Sequence, residues 1–303
     1  MSEHHNHSHL PHTHSHAHAK TDNIRLAFFV NLFFTIIEIF GGLMTNSVAI
    51  LSDALHDLGD SLSLGLAWHF QKLSQKEKNK RFTFGYGRFS IIGAIINSLV
   101  LTVGSLFILF ETIPRLIAPQ MPDAQGMLYL AILGILFNGL AVLRLKKGIS
   151  LNEKVVMLHL LEDVLGWTAI LVGSIVMLFF HLPVLDPILS ILIAVYILFN
   201  VFKNMKTAFK IILQGAPPEI SVTEIEKKIS AIEGIDSVHD IHLWSLDGVY
   251  NVLTIHVVLK NIKSLDSMSK FKKLIREKLI SEHIQHTTIE FEGENEECTH
   301  LDC

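Results

Sequence analysis

The chain has 303 residues, half of them hydrophobic and 18% charged, with a formal net charge of −4. This excludes a nucleic-acid binder of the basic-patch kind, because the lysines and arginines sit in short loops between apolar runs, without interleaved aromatics. Both cysteines, Cys298 and Cys303, lie at the extreme C-terminus, so no disulfide staples the fold and no oxidising compartment is implied.

Residues 1–20 contain His4, His5, His7, His9, His12, His14, His16 and His18. Such a tract has too little apolar content to form a core, so residues 1–21 are expected to be disordered. Spaced imidazoles suit metal capture. The competing reading is an expression tag, from which the His-x-His spacing with Ser, Thr and Asn differs. No apolar segment precedes Ile24, so no cleavable signal peptide is expected.

Six long apolar runs follow, near Ile24–Met44, Val48–Phe70, Phe89–Ile117, Met127–Leu145, Val155–Phe180 and Leu185–Leu213. Runs near twenty residues with few charges read as transmembrane helices. Thr45-Asn46-Ser47 leaves room only for a tight helical hairpin. Basic residues cluster before the first run (Lys20, Arg25), after the second (Lys72 through Arg88), between the fourth and fifth (Arg144 to Lys154), and at the end of the sixth. The alternate loops offer Arg115 alone, so six spans with both termini cytoplasmic are expected. A bacterial inner or plasma membrane fits that orientation.

Two of the runs carry ionisable residues in matching patterns. Leu51–Gly65 holds His56 and Asp60, and His159–Gly166 holds His159 and Asp163. Residues four apart share one face of a helix, so each imidazole projects with its carboxylate. Two such helices packed face to face bring two nitrogens and two oxygens together, a tetrahedral set that suits zinc. Ionisable groups at membrane depth are expensive and usually functional. Asp53 lies on the same stripe as His56, either as a carboxylate at the mouth of the site or as an acid complementing the helix dipole. Asp57, one step round the helix, reads as polar and water-facing.

Gln214–Pro218 reads as a linker. Beyond it, Val222–Ile232 reads as an amphipathic helix capped by Ser221, and Ser237–Leu246 with Tyr250–Lys260 as a hairpin turning at Asp247-Gly248. Leu265–Glu282 reads as a second helix and Thr287–Glu292 as a third strand. The expected fold is multi-domain: a six-helix all-α transmembrane domain (22–214), then a small α+β cytoplasmic domain of αββαβ order (215–293). Residues 294–303 form a tail in which Cys298, His300 and Cys303 are soft ligands suited to zinc, or a frayed terminus.

NSVAILSDALHDLGD at 46–60, FGYGRFS at 84–90 and HLLEDVLG at 159–166 closely resemble signatures of the cation diffusion facilitator family, and the order of elements over about 22–292 also matches. The resemblance implies proton-coupled efflux of divalent metal by alternating access, homodimers, and a ferredoxin-like cytoplasmic domain. It places His56, Asp60, His159 and Asp163 at the transport site; two histidines with two aspartates resembles the zinc-preferring pattern. Ser90 departs from it, standing where the family often has an acid. His239 and His256 fall where members with cytoplasmic metal sites have histidines, with Glu290 or Glu292 at the third-strand position. His242 reads as an ordinary strand histidine.

The implied substrate is zinc, with cobalt, cadmium, iron or manganese as alternatives; no resident cofactor is expected, although a regulatory zinc in the cytoplasmic domain is. The partners are the ion, protons, the bilayer and a second copy of the chain. An intramembrane metallohydrolase is disfavoured because catalytic zinc needs an open position and a general base, and four protein ligands close the shell. A metal-gated channel would differ from an exporter in lacking proton exchange.

Overall fold

The computed structural model describes residues 15–74, 76, 78–145, 151–260, 265–293 and 296, with the side chains of 15–27, 67, 68, 71, 72, 74, 144, 145 and 151–159 excepted. The chain divides into two compact units, one from residues up to 72 together with 96–201, the other from 73–95 together with 202 onward.

Six long helices run in the order α1 Ser15–Thr45, α2 Val48–Ser74, α3 Phe89–Ile117, α4 Ala124–Leu145, α5 Leu151–Phe180 and α6 Leu185–Ile212. Five are long and apolar enough to cross a bilayer. The remaining one, α2, has 27 residues, but Asp53, Asp57 and Asp60 dilute its apolar run. Helix α1 begins at Ser15, so the end of the tract expected to be disordered is helical in its backbone; residues 1–14 lie outside the described residues. The α1–α2 turn closes with Asn46 at φ 52° and a 3.0 Å bond from Ser47 N to the Gly42 carbonyl.

Phe34, Ile50, Met127, Ala131, Trp167, Ile170 and Met177 form the buried core of the first unit. Small residues let its helices approach: a Cβ on Gly134 would fall 2.3 Å from the Trp167 ring. Outward faces are apolar, with Phe40, Phe107, Phe110, Leu140 and Phe199 exposed, as a lipid-facing surface requires.

In the second unit, Gln214 at φ 58° ends α6, and Gly215 N bonds back to the Lys210 carbonyl at 2.8 Å. Then come α7 Val222–Ser230, β1 Ile235–Ser245, β2 Asn251–Leu259, α8 Leu265–Ile280 and β3 His286–Gly293. The Ser221 hydroxyl accepts from Glu224 N at 3.3 Å. Ile225 and Ile229 of α7, with Ile275 and Leu279 of α8, share a core with Leu253, Ile255 and Leu259 of β2. The sheet order is β1-β2-β3, with β1 antiparallel and β3 parallel to β2. At the hairpin, Asp247 Oδ1 accepts from Val249 N at 2.9 Å and Tyr250 N at 2.7 Å, while Gly248 takes φ 93°.

Candidate metal centres

On α2, His56 Nε2 lies 3.7 Å from Asp60 Oδ2, as helical spacing requires. Ligands about 2.0–2.1 Å from a tetrahedral zinc stand roughly 3.4 Å apart, so this pair needs only a slight closure to share an ion. On α5, Asp163 is 6% exposed and within electrostatic range of Asp53. His159 is one turn away from Asp163 in the same helix; its side chain lies outside the described residues. Helices α2 and α5 meet directly: a Cβ on Gly166 would stand 3.3 Å from Asp53 Oδ1. The His56 ring also faces Tyr196 of α6, edge to face.

Asp53 is 5% exposed, with Oδ2 lacking a hydrogen-bond partner among the described residues. It is buried against α5 beside Gly166. Asp57 corrects the sequence reading: it is 4% exposed, not water-facing. The cause is α1, whose Asn31 donates to the Asp57 carbonyl at 3.0 Å and to Ser61 Oγ at 3.1 Å. Beside them on α1 stands Glu38, 1% exposed, its carboxyl against that of Asp57. Glu38 was legible in the sequence only as a lone acid inside an apolar helix.

A second cluster stands on one face of the sheet. His239 and His256 are paired across β1 and β2, and β2 runs beside β3 with His256 opposite Glu290. His239 Nε2 is 3.2 Å from Glu292 Oε2, and His256 Nδ1 is 2.7 Å from Glu292 Oε1. Ligand atoms of these three residues all fall within 4.8 Å of one another. Glu290 reaches His256 Nε2 at 3.4 Å but is 67% exposed. Glu292 is the buried third-strand carboxylate of this cluster, and Glu290 stands at its exposed rim.

Asp240 joins this cluster through a feature hidden from alternation. Between His239 and His242 strand β1 carries one extra residue, a bulge, with Asp240 at φ 47°. A bulge re-aims a side chain that regular pleating would send elsewhere. Asp240 Oδ2 lies 3.3 Å from His256 Nε2, and Oδ1 lies 2.8 Å from His242 Nε2. His242 is thus hydrogen-bonded, as an ordinary strand histidine would be. Cys298, His300 and Cys303 lie outside the described residues.

Residues 24–213 match the model of the cation efflux transmembrane domain, and residues 217–294 that of the cation efflux protein cytoplasmic domain. The chain is 34% identical over 273 residues to a cadmium, cobalt and zinc/H(+)-K(+) antiporter of Bacillus subtilis, covering 89% of this chain and 88% of the relative. It is 32% identical to the metal cation efflux system protein CzcD of Cupriavidus metallidurans, over 89% of this chain and 86% of that protein. It is also 32% identical to the zinc transporter ZitB of Pectobacterium atrosepticum, over 88% and 83% of the two chains. With both domains matched in the expected order, the chain belongs to the cation diffusion facilitator family of cation efflux proteins, integral membrane transporters and not enzymes.

Proposed function

We propose that this protein exports divalent metal from the cytoplasm in exchange for protons, with zinc as the main substrate, through a four-ligand site of His56, Asp60, His159 and Asp163. The observation that carries this reading is the His56–Asp60 pair at 3.7 Å on α2, with the buried Asp163 on the helix that packs against it. Two carboxylates offset the ion's charge at membrane depth, and two imidazoles supply the nitrogens that zinc favours. Metal and proton compete for the same lone pairs, so protons arriving from outside expel the ion and the neutralised site returns. Asp53 stands beside these ligands and takes the ion at the mouth of the site.

In this reading α2 is the sixth span, despite its acids, because it is long enough and joined to α1 by a tight turn. The basic loops set both termini in the cytoplasm. The names of the relatives support zinc, cobalt and cadmium as a substrate class; manganese, which prefers all-oxygen sets, fits a site with two imidazoles less well.

The sheet cluster of His239, His256 and Glu292, completed by Asp240 or Glu290, is a cytoplasmic metal site. A second copy of the chain closes over that face, so bound metal favours one relative orientation of the two domains. The Cys298, His300 and Cys303 tail adds soft ligands, and the N-terminal histidines gather metal.

The test is metal uptake into inverted membrane vesicles with and without an imposed proton gradient. Zinc uptake that rises with an inwardly acidic gradient and collapses with a protonophore is the expected result. Uptake indifferent to the gradient would favour a channel and sink the exchange.

A further inference from the structure

Five carboxyl groups converge in the first unit: Glu38 on α1, Asp53, Asp57 and Asp60 on α2, and Asp163 on α5. The charges acting on Glu38, Asp53 and Asp57 come from one another and from Asp60 and Asp163; no described basic group is among them. One divalent ion at the proposed transport site offsets Asp60 and Asp163 and leaves the other three unbalanced. Buried charge without a counter-charge is strongly disfavoured.

The Glu38–Asp57 pair is not explained as structural support. Glu38 is almost wholly buried, and beyond the Asp57 carboxyl that it meets, no described group donates a hydrogen bond to either of its oxygens. A buried carboxylate kept for structure takes donors, and Asp186 in the same unit does so: Ser47 Oγ, Val48 N at 2.9 Å and Ala49 N at 3.2 Å all donate to it. The polar neighbours of Glu38 spend their donors elsewhere. Asn31 Nδ2 donates to the Asp57 carbonyl and to Ser61 Oγ, and the Thr35 hydroxyl donates to the Asn31 carbonyl at 2.9 Å. What remains between α1 and α2 is a buried set of acceptors.

We propose that Glu38 and Asp57 form a second divalent-cation position beside the transport site, with Asp53 standing between the two. All of its ligands are oxygens, so it takes harder cations than the nitrogen-containing site does. The proposal rests on the reading of this unit as a metal path, and it makes Glu38 a cation-binding residue of that path.

The experiment uses the full-length chain carrying His239→Ala, His256→Ala, Cys298→Ser and Cys303→Ser in lipid nanodiscs, first saturated with zinc to fill the transport site. Mn2+ is then titrated and followed by electron paramagnetic resonance, while Co2+ in place of zinc reports a tetrahedral site by its intense visible absorption. The zinc-loaded protein is expected to bind Mn2+ at one further equivalent per chain. Glu38→Gln and Asp57→Asn should each weaken that binding at least tenfold, Glu38→Asp less, with the Co2+ band retained as evidence of a folded transport site. No Mn2+ binding in the zinc-loaded protein, or binding indifferent to both Glu38→Gln and Asp57→Asn, overturns the proposal and leaves the pair holding a proton only. Loss of Mn2+ binding in both variants with no tetrahedral Co2+ band in any protein supports this position while sinking the four-ligand site.

Discussion

Gly166 tests whether α2 and α5 must meet at a set distance. Its substitution by alanine leaves every proposed ligand in place, but the new methyl stands 3.3 Å from Asp53 Oδ1. That is tighter than an ordinary contact, so α5 must retreat by a few tenths of an ångström or Asp53 must turn. Asp163 lies one turn from Gly166 and moves with it. A misplacement of about 1 Å costs on the order of 100-fold in a preorganised site, so a shift of a few tenths is expected to raise the apparent KM for zinc roughly 3- to 10-fold. Gly166→Val, which adds bulk at the same contact, should cost more than about 100-fold. Alanine in a helix is intrinsically favoured over glycine by about 0.5–1 kcal/mol, so the loss should appear without a fall in thermal stability. Gly139→Ala is the control, because a Cβ there meets none of the described residues within 4 Å. The assay is initial zinc flux into proteoliposomes at matched protein density. Wild-type kinetics from both Gly166→Ala and Gly166→Val would refute the α2–α5 site.

Three further outcomes follow from the same geometry. His56→Asp exchanges a nitrogen for an oxygen and should raise manganese or cadmium transport relative to zinc; an unchanged preference in competition flux would place selectivity elsewhere. Zinc binding should weaken as pH falls, because protons and metal compete for the same imidazole and carboxylate lone pairs; equilibrium dialysis across pH 5–8, flat throughout, would contradict the ligand set. Ile255→Ala empties a site that is 1% exposed in the soluble unit and should cost about 2–5 kcal/mol. For a domain of this size that lowers the unfolding midpoint by roughly 10 °C or more, readable by calorimetry on the full chain.

Much of this was legible in the sequence because helices and strands announce themselves by period. The apolar runs, the Asp247-Gly248 turn and the paired His-x-x-x-Asp motifs each depend on residues close along the chain. What escaped depends on partners far along it. Asp57 reads as water-facing from its position on α2 alone; it is buried beside Asn31 and Glu38 of α1, residues far along the chain. Glu38 was visible as an acid in an apolar run, but its meaning came from the carboxyls it meets. Asp240 lies at a bulge, where one extra residue breaks the alternation that would otherwise assign its face. Glu290 and Glu292 both point along the same strand face by period two, and only the burial of Glu292 separates them.

In the proposed reading one ion is held in the membrane by His56, Asp60, His159 and Asp163. X-ray absorption at the zinc edge tests it most directly, on a chain carrying His239→Ala and His256→Ala and truncated before Ala19 and after Glu296, which removes the tail ligands. The account predicts one zinc per chain with two nitrogen and two oxygen neighbours at about 2.0–2.2 Å, lost together with zinc flux in Asp60→Ala and in Asp163→Ala. Bound zinc and near-normal flux in both of those variants would contradict it.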